Sequence, residues 1–275
     1  MAELLAALSS FLYGGADFMA GRLGKSISAW AITGVSASVA TVVFFLLGTA
    51  TGDMTFDHVD VRTGVLTGVL LVAGNGCFYS ALARGTMGVI GGITATLVLV
   101  PVFVSLTRGA ALSTSTLIGV AVTVGAAILL GAPEMRGDTQ KVAVLLAVLA
   151  AVFYGFGEVA DDVGAANNVY GTLMVMELTA ATIVGVMGLI TRSTGGLRSE
   201  ALPTLVLVGL FNAAGWACFA QATTLGSLAV VSVLSSLAPV VLTVLAFFFL
   251  HEKLKPIQIV ALGGVLVGSM LVSLG

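Results

Sequence analysis

Apolar residues fill this chain in long runs, and the polar positions gather into short clusters between them. A helix rises 1.5 Å per residue, so about 20 mainly apolar residues cross the roughly 30 Å hydrocarbon core of a bilayer. Turn chemistry between runs of that length predicts ten helices, at 2–21, 29–49, 63–82, 87–107, 114–132, 142–162, 168–191, 202–223, 227–250 and 256–274. The hardest division falls inside Ala201–Leu250, which has no charged residue. As one helix it would extend about 75 Å, more than twice the core, so it must fold back. Thr223-Thr224-Leu225-Gly226-Ser227 is the stretch with hairpin chemistry. A barrel reading fails, because the runs are twice the length of a barrel strand and do not alternate with period two.

Composition leads to the same place. Of 275 residues, 58% are hydrophobic, 9% are charged and 35 are glycine. A soluble globule needs far more polar surface than that, whereas a bundle facing lipid needs almost none. The expected class is therefore an all-α integral membrane protein. The formal charge of −2, with Lys and Arg scattered, leaves no basic stripe for nucleic acid. Cys77 and Cys218 sit in apolar runs without a nearby Cys or His, so neither a disulfide framework nor a metal site is indicated, and no cofactor motif is present. The first residues carry Glu3 and no Lys or Arg, which argues against a cleavable signal peptide.

The chain also repeats. Phe11-Leu12-Tyr13-Gly14-Gly15-Ala16-Asp17 matches Val152-Phe153-Tyr154-Gly155-Phe156-Gly157-Glu158, with Tyr on Tyr, Gly on Gly and acid on acid. Gly88 through Pro101 can be laid on Gly226 through Pro239, predicting a helix broken by proline at the same place in each half. The expected units are 1–135 and 140–275, five helices each. An odd number of crossings per unit sends the second in from the opposite side, the inverted-topology repeat of many secondary transporters.

These residues carry a resemblance. The five-plus-five plan, Leu12 to Asp17, Tyr79-Ser80-Ala81-Leu82 followed by Gly88 and Pro101, and Leu234-Ser235-Ser236-Leu237-Ala238-Pro239-Val240-Val241 followed by His251-Glu252-Lys253-Leu254 resemble an EamA-type member of the drug/metabolite transporter superfamily. His251 stands where that family's Gly-Glu-x-Leu has glycine, and the matching first-half loop, Gly109 to Ser115, has no acid. The resemblance implies a multi-pass protein of a bacterial inner membrane that exports or exchanges a small organic solute. It places the pocket among spans 1, 3, 4, 6, 8 and 9, with spans 5 and 10 at the back.

The candidate site residues are the polar groups that a span tolerates only for a reason. Asp17 and Glu158 come first, since an ionisable group in a span costs several kcal/mol unless it meets a wet cavity or a partner. Counted from the span starts, each lies about 22–24 Å along its helix, past the midplane toward its own exit face. Inversion then predicts two separate acid sites, one per side, with interfacial anchoring as the other reading. Tyr13 and Tyr154, four residues earlier on the same faces, either donate to these carboxylates or form an aromatic belt. Glu177 falls near mid-membrane opposite Ala37 in the repeat, and serves either coupling or packing near Thr179. Asn75 and Asn212 stand one residue out of register and serve either helix-to-helix bonding or substrate contact. Gln221 ranks below them.

Pro101 and Pro239 free carbonyls that survive in a membrane only where a cavity or neighbour satisfies them, so each marks a cavity wall or a packing kink. Thr94, Thr96, Ser232, Ser235 and Ser236 could line such a wall with hydroxyls. Phe78, Tyr79 and Trp216 could stack an aromatic or cationic solute or face lipid and core. Gly263, Gly264 and Gly268 form a close-packing stripe, and His58 and His251 read as solvated loop residues.

Orientation sets two arguments against each other. Arg22, Lys25, Arg84, Arg136, Lys141, Arg192, Arg198, Lys253 and Lys255 fall on the side reached by the first span, against Arg62 and Arg108 on the other, which places both termini outside. The resemblance places them inside. The functional expectation is a secondary transporter of a small organic solute working by alternating access, with protons as the candidate coupling ion. An uncoupled facilitator or channel and a non-transporting scaffold are the alternatives. No enzyme motif and no obligate protein partner is indicated.

Overall fold

In the computed structural model, residues 1–52, 54–109, 113–131, 138–251 and 255–273 are described. Two of the positions that enter the charge count, Arg136 and Lys253, lie outside them, as do Glu252 and Leu254 of the loop that resembles the family motif. The described residues form helices and connecting turns. In chain order these are α1 (Ala2–Leu23), α2 (Ala29–Thr51), α3 (His58–Leu82), α4 (Met87–Thr94), α5 (Leu99–Thr107), α6 (Thr114–Gly131), α7 (Asp138–Ala165), α8 (Val169–Thr191), α9 (Leu202–Leu225), α10 (Leu228–Ser235), α11 (Ala238–Leu250) and α12 (Pro256–Ser273). Eight segments are long and apolar enough to cross a membrane, with α4–α5 and α10–α11 each counting as one broken segment. Shorter apolar runs, Thr114–Ala126 and Pro256–Gly268, lie in α6 and α12. Large hydrophobics such as Leu189, Ile190, Phe248 and Val260 remain exposed, as a lipid-facing surface requires. The molecule is a multi-pass integral membrane protein.

The third helix begins five residues before its predicted start at 63. Asp57 caps it, accepting from the backbone N–H groups of Val59 and Asp60, and the Asp60 side chain accepts from the Asp57 N–H. This reciprocal cap is legible as an acid pair three residues apart. The backbone of Asp60 and the side chain of Asn167 hold the Asp57 carboxyl below its ordinary range. Asn167 donates to Asp57 Oδ2 at 3.0 Å and Asp60 Oδ1 at 2.7 Å, tying the α7–α8 turn to the start of α3. At the other end of the bundle, Ser28 N–H donates to Gly195 O at 2.8 Å and joins the α1–α2 and α8–α9 turns.

Each half packs mainly through the other. α1 lies along α9 as α7 lies along α3, α2 pairs with α8, and α6 pairs with α12. In the last pair a Cβ at Gly264 would meet Ala126 at 2.9 Å and Gly268 sits against Gly119 and Thr123, as expected of close-packing glycines, whereas a Cβ at Gly263, the third member of the expected stripe, would meet nothing within 4 Å. One constant displacement in residue number carries Tyr13 to Tyr154, Asp17 to Glu158, the α4 cap Thr86 to the α10 cap Ser227, and Gly74 to Gly215. Neighbours follow it too. Gly14 abuts Ala238 and Val241, and Gly155 abuts the equivalent Leu97 and Val100.

This register corrects the proline alignment. Both broken spans are interrupted at equivalent places, by a tight 3-10 turn at Ala95–Val98 and by a turn at 236–237. The prolines are not equivalent. The displacement carries Pro101 to Leu242 and Val98 to Pro239, so Pro239 stands nearly one turn earlier, in the first turn of α11. Pro101 lies just inside α5. Both occupy first-turn positions, where the missing N–H has no intrahelical partner anyway. His251 ends α11 in a left-handed conformation, φ 53°, which explains why glycine is the motif residue there.

Candidate functional site

The two interruptions lie side by side and open a cavity of about 110 Å³ between the halves. From the first half it is lined by Tyr13, Asp17, Asn75, Phe78, Tyr79 and Thr94, and from the second by Tyr154, Glu158, Glu177, Asn212, Trp216, Ser235, Ser236 and Pro239. Thr96 and Pro101 are not among its lining residues; the Thr96 hydroxyl turns back to Ile93 O at 2.8 Å. The second and seventh spans, absent from the walls that the resemblance implies, contribute Thr33, Ser36 and Ala37 from α2 and Glu177 from α8. No described residue of α6 or α12 lines it.

Asp17 and Glu158 therefore face one cavity instead of two separate compartments. Rise along a helix locates a Cα, but it does not show that two broken helices open space between the acids. Within the cavity they keep different company. Asp17 acts electrostatically on Tyr79 and Tyr154, whereas Glu158, with Asp161 one turn on, acts on Tyr13. Asp17 is partly exposed and Glu158 is 7% exposed. A second hollow at the C-terminal ends of α1 and α3, lined by Gly24, Ser28, Ala83 and Arg84, shares Thr33 and Tyr79 with the cavity. It adjoins the cavity at the C-terminal end of α1, the helix that carries Asp17.

The tyrosines are exchanged between halves. Tyr13 of α1 lies in a notch at Gly215 of α9, where a Cβ would come within 2.7 Å of the ring, and Tyr154 of α7 lies in a notch at Gly74 of α3, within 2.5 Å. Each ring meets an equivalent aromatic neighbourhood: Tyr154 stacks edge-on against Phe78, and Tyr13 against Trp216, which itself meets Phe219. The structural register pairs Asn75 with Trp216, and Asn212 with Leu71, so the two asparagines are not counterparts. Tyr154 donates to Asn75 Oδ1 at 2.6 Å. The Tyr13 hydroxyl meets indole at the equivalent place and has no hydrogen-bond partner. Asn212 donates to Ser36 Oγ at 3.1 Å.

The remaining polar groups divide between wall and packing. Ser235 bonds Ser9 of α1 across 2.8 Å, whereas Ser236 and Thr94 turn back to Val233 O at 2.7 Å and Ile90 O at 2.9 Å. Ser232 is fully buried just off the cavity. Glu177 faces the cavity, and Thr179 turns to Gly68 on α3. Gln221, His58 and His251 are exposed. Asp161, fully buried, is missing from the candidates drawn from sequence, although its spacing from Glu158 puts both acids on one helix face. Among the described residues no group of three or more His, Cys, Asp or Glu could hold a metal.

The sequence profile of the EamA-like transporter family matches the chain twice, over residues 1–132 and 141–274. The chain belongs to the EamA-like transporter family. EamA-like proteins are transporters, not enzymes, and a small-molecule solute and membrane lipid are what membership brings as partners. Among 29 matching chains of solved structures, one crystal structure superposes with a TM-score of 0.79 over 99% of this chain and 96% of its own, at 16% identity, a likeness of fold. No curated protein matches.

Proposed function

We propose that this EamA-like protein is a secondary transporter that moves a small organic solute by alternating access, through ten crossings arranged as two inverted five-helix units, 1–135 and 140–275. The observation that carries the reading is one cavity walled by equivalent positions of both halves, with both Asp17 and Glu158 among its lining residues. Two units with exchanged contacts have two nearly equivalent packings, and each opens the cavity to one end. The adjoining hollow, together with the seal of Ser9 on Ser235 at the N-terminal end of α1, fits the packing open at the C-terminal end of α1.

Chemically the wall is mixed. Phe78, Tyr79 and Trp216 give faces for an aromatic or cationic group, Asn75, Asn212 and the hydroxyls of Ser236 and Thr94 give neutral polar contacts, and Asp17, Glu158 and Glu177 give acceptors for a cation or a proton. A carboxylate that is wet in one packing and dry in the other changes its proton affinity between them, which couples protonation to the packing adopted.

Thermal stabilisation of the purified protein tests the solute. A ligand that binds the folded state raises the melting temperature in proportion to its saturation. Screening amino acids, lipophilic cations, nucleosides and sugars should give one responding class, and Trp216→Ala should weaken that response. No responding class, and no counterflow of any of them in vesicles, would remove the transport reading.

A further inference from the structure

The buried polar groups around Glu158 are too many for one carboxylate. Glu158 Oε2, both Asp161 oxygens, the Ser232 hydroxyl and the Tyr13 hydroxyl have no hydrogen-bond partner in the protein. Asp161 and Ser232 are completely buried. They come from three helices: Glu158 and Asp161 share a face of α7, the Ser232 hydroxyl of α10 faces the Glu158 carboxyl, and both acids act on the Tyr13 hydroxyl of α1. A buried polar group without a partner costs about 1–3 kcal/mol, more when charged, so such a group of five atoms calls for a common partner.

We infer that these oxygens form a binding site for a small inorganic cation, Na+, beside the solute cavity. All the donors are oxygens, the set that hard cations take. A proton on Glu158 can serve the facing Ser232 hydroxyl, but it leaves both Asp161 oxygens without a partner. A cation of Na+ or Ca2+ size stands about 2.3–2.6 Å from each oxygen it binds and can serve several at once. Mg2+ keeps several waters, which the closed surroundings of Asp161 and Ser232 do not admit, and Ca2+ asks for six to eight oxygens, where two of these five are neutral hydroxyls. One Na+ and one retained proton leave the two carboxyls neutral.

The neighbouring charges leave the site to these residues. Asp162 points outward to Arg108 at 3.0 Å, and Glu177 and Cys218 act on Tyr13 less than Asp161 and Glu158 do. The equivalent place in the other half cannot bind the ion in this way, since Asp161 is matched there by Ala20 and Ser232 by Gly91. Glu158 and Tyr13 belong to both the cavity wall and the ion site, so the ion couples to the solute on the transport reading above, although its binding can be read without any solute.

The test is the melting temperature of the purified full-length protein in NaCl against N-methylglucamine chloride at equal ionic strength, at neutral and mildly alkaline pH. Sodium should raise it by several degrees in a saturable way. Asp161→Asn and the milder Ser232→Ala should lose the response, and Asp162→Asn should keep it. Equal melting in both salts at both pH values would overturn the site and leave two protonated carboxyls. Stabilisation by CaCl2 without any response to Na+ would overturn the choice of ion. Neither outcome touches the solute screen, whose failure would be read separately.

Discussion

The two tyrosine notches are the same structure built twice, and they differ at one wall. Around Tyr154 the opposite half supplies Gly74, Asn75 and Phe78; around Tyr13 it supplies Gly215, Trp216 and Phe219. With Asn75 in the wall, the Tyr154 hydroxyl is satisfied and the notch is complete. With Trp216 there, the Tyr13 hydroxyl is left toward Glu158 and Asp161, and a polar cluster without internal partners results. Packing has been kept in both halves while polar chemistry has been concentrated in one. On the transport reading, symmetry of shape is what would allow two packings, and asymmetry of chemistry is what would make them differ.

The largest expected effect tests whether both acids are needed for transport. Asp17→Asn and Glu158→Gln keep size and remove titration, and each should reduce pH-driven uptake in reconstituted vesicles to background with the fold intact. Wild-type transport indifferent to pH, with both variants fully active, would reduce the acids to anchors and put an uncoupled facilitator in front.

Next come the notches. Gly74→Ala and Gly215→Ala press a methyl group into a buried ring, which should cost about 1–3 kcal/mol in each, partly offset by better helix propensity. Similar losses in thermal unfolding would keep the halves equal in packing; no loss at Gly74 would break that equality.

The tyrosine hydroxyls should then separate the halves. Tyr154→Phe leaves Asn75 Oδ1 without its donor and should cost about 1–3 kcal/mol, while Tyr13→Phe in sodium-free medium should be close to neutral. Equal costs would dissolve the contrast. The smallest effect is at the helix ends. α5 is followed by Gly109 at φ 84°, whereas α11 is followed by His251 at φ 53°. His251→Gly should stabilise by about 1 kcal/mol through relief of left-handed strain, read as a small rise in melting temperature.

Much of this was legible in the residues. Span length and hydropathy gave the helices, and Tyr13-x-x-x-Asp17 against Tyr154-x-x-x-Glu158 gave the repeat, because a polar pair inside an apolar run cannot be accidental cheaply. What escaped was whatever depends on helix rotation and on the far side of a contact. Proline is a conspicuous residue to align on, yet the register shows in the equivalent helix starts at Thr86 and Ser227 and in glycines whose contacts lie in the other half. Asp161 sits near a helix end beside Asp162, and only packing separates the one that turns outward to Arg108 from the one that turns inward. The beginning of α3 was set by Asp57 and Asp60, whose cap lengthens a helix beyond its apolar stretch.

The exchange of tyrosines also has a consequence for biogenesis. A chain is made and inserted from its N-terminus, and domains tend to fold in that order. When α1 to α3 have emerged, the Gly74 notch is open and Tyr13 lacks its own, since the complements come later in the chain, Tyr154 in α7 and Gly215 in α9. The first half must wait in the bilayer with an unfinished interior, and a second nascent copy would offer Tyr13 a Gly74 notch of matching shape. The delay between synthesis of α3 and of α7 is thus the interval in which correct assembly competes with pairing between chains.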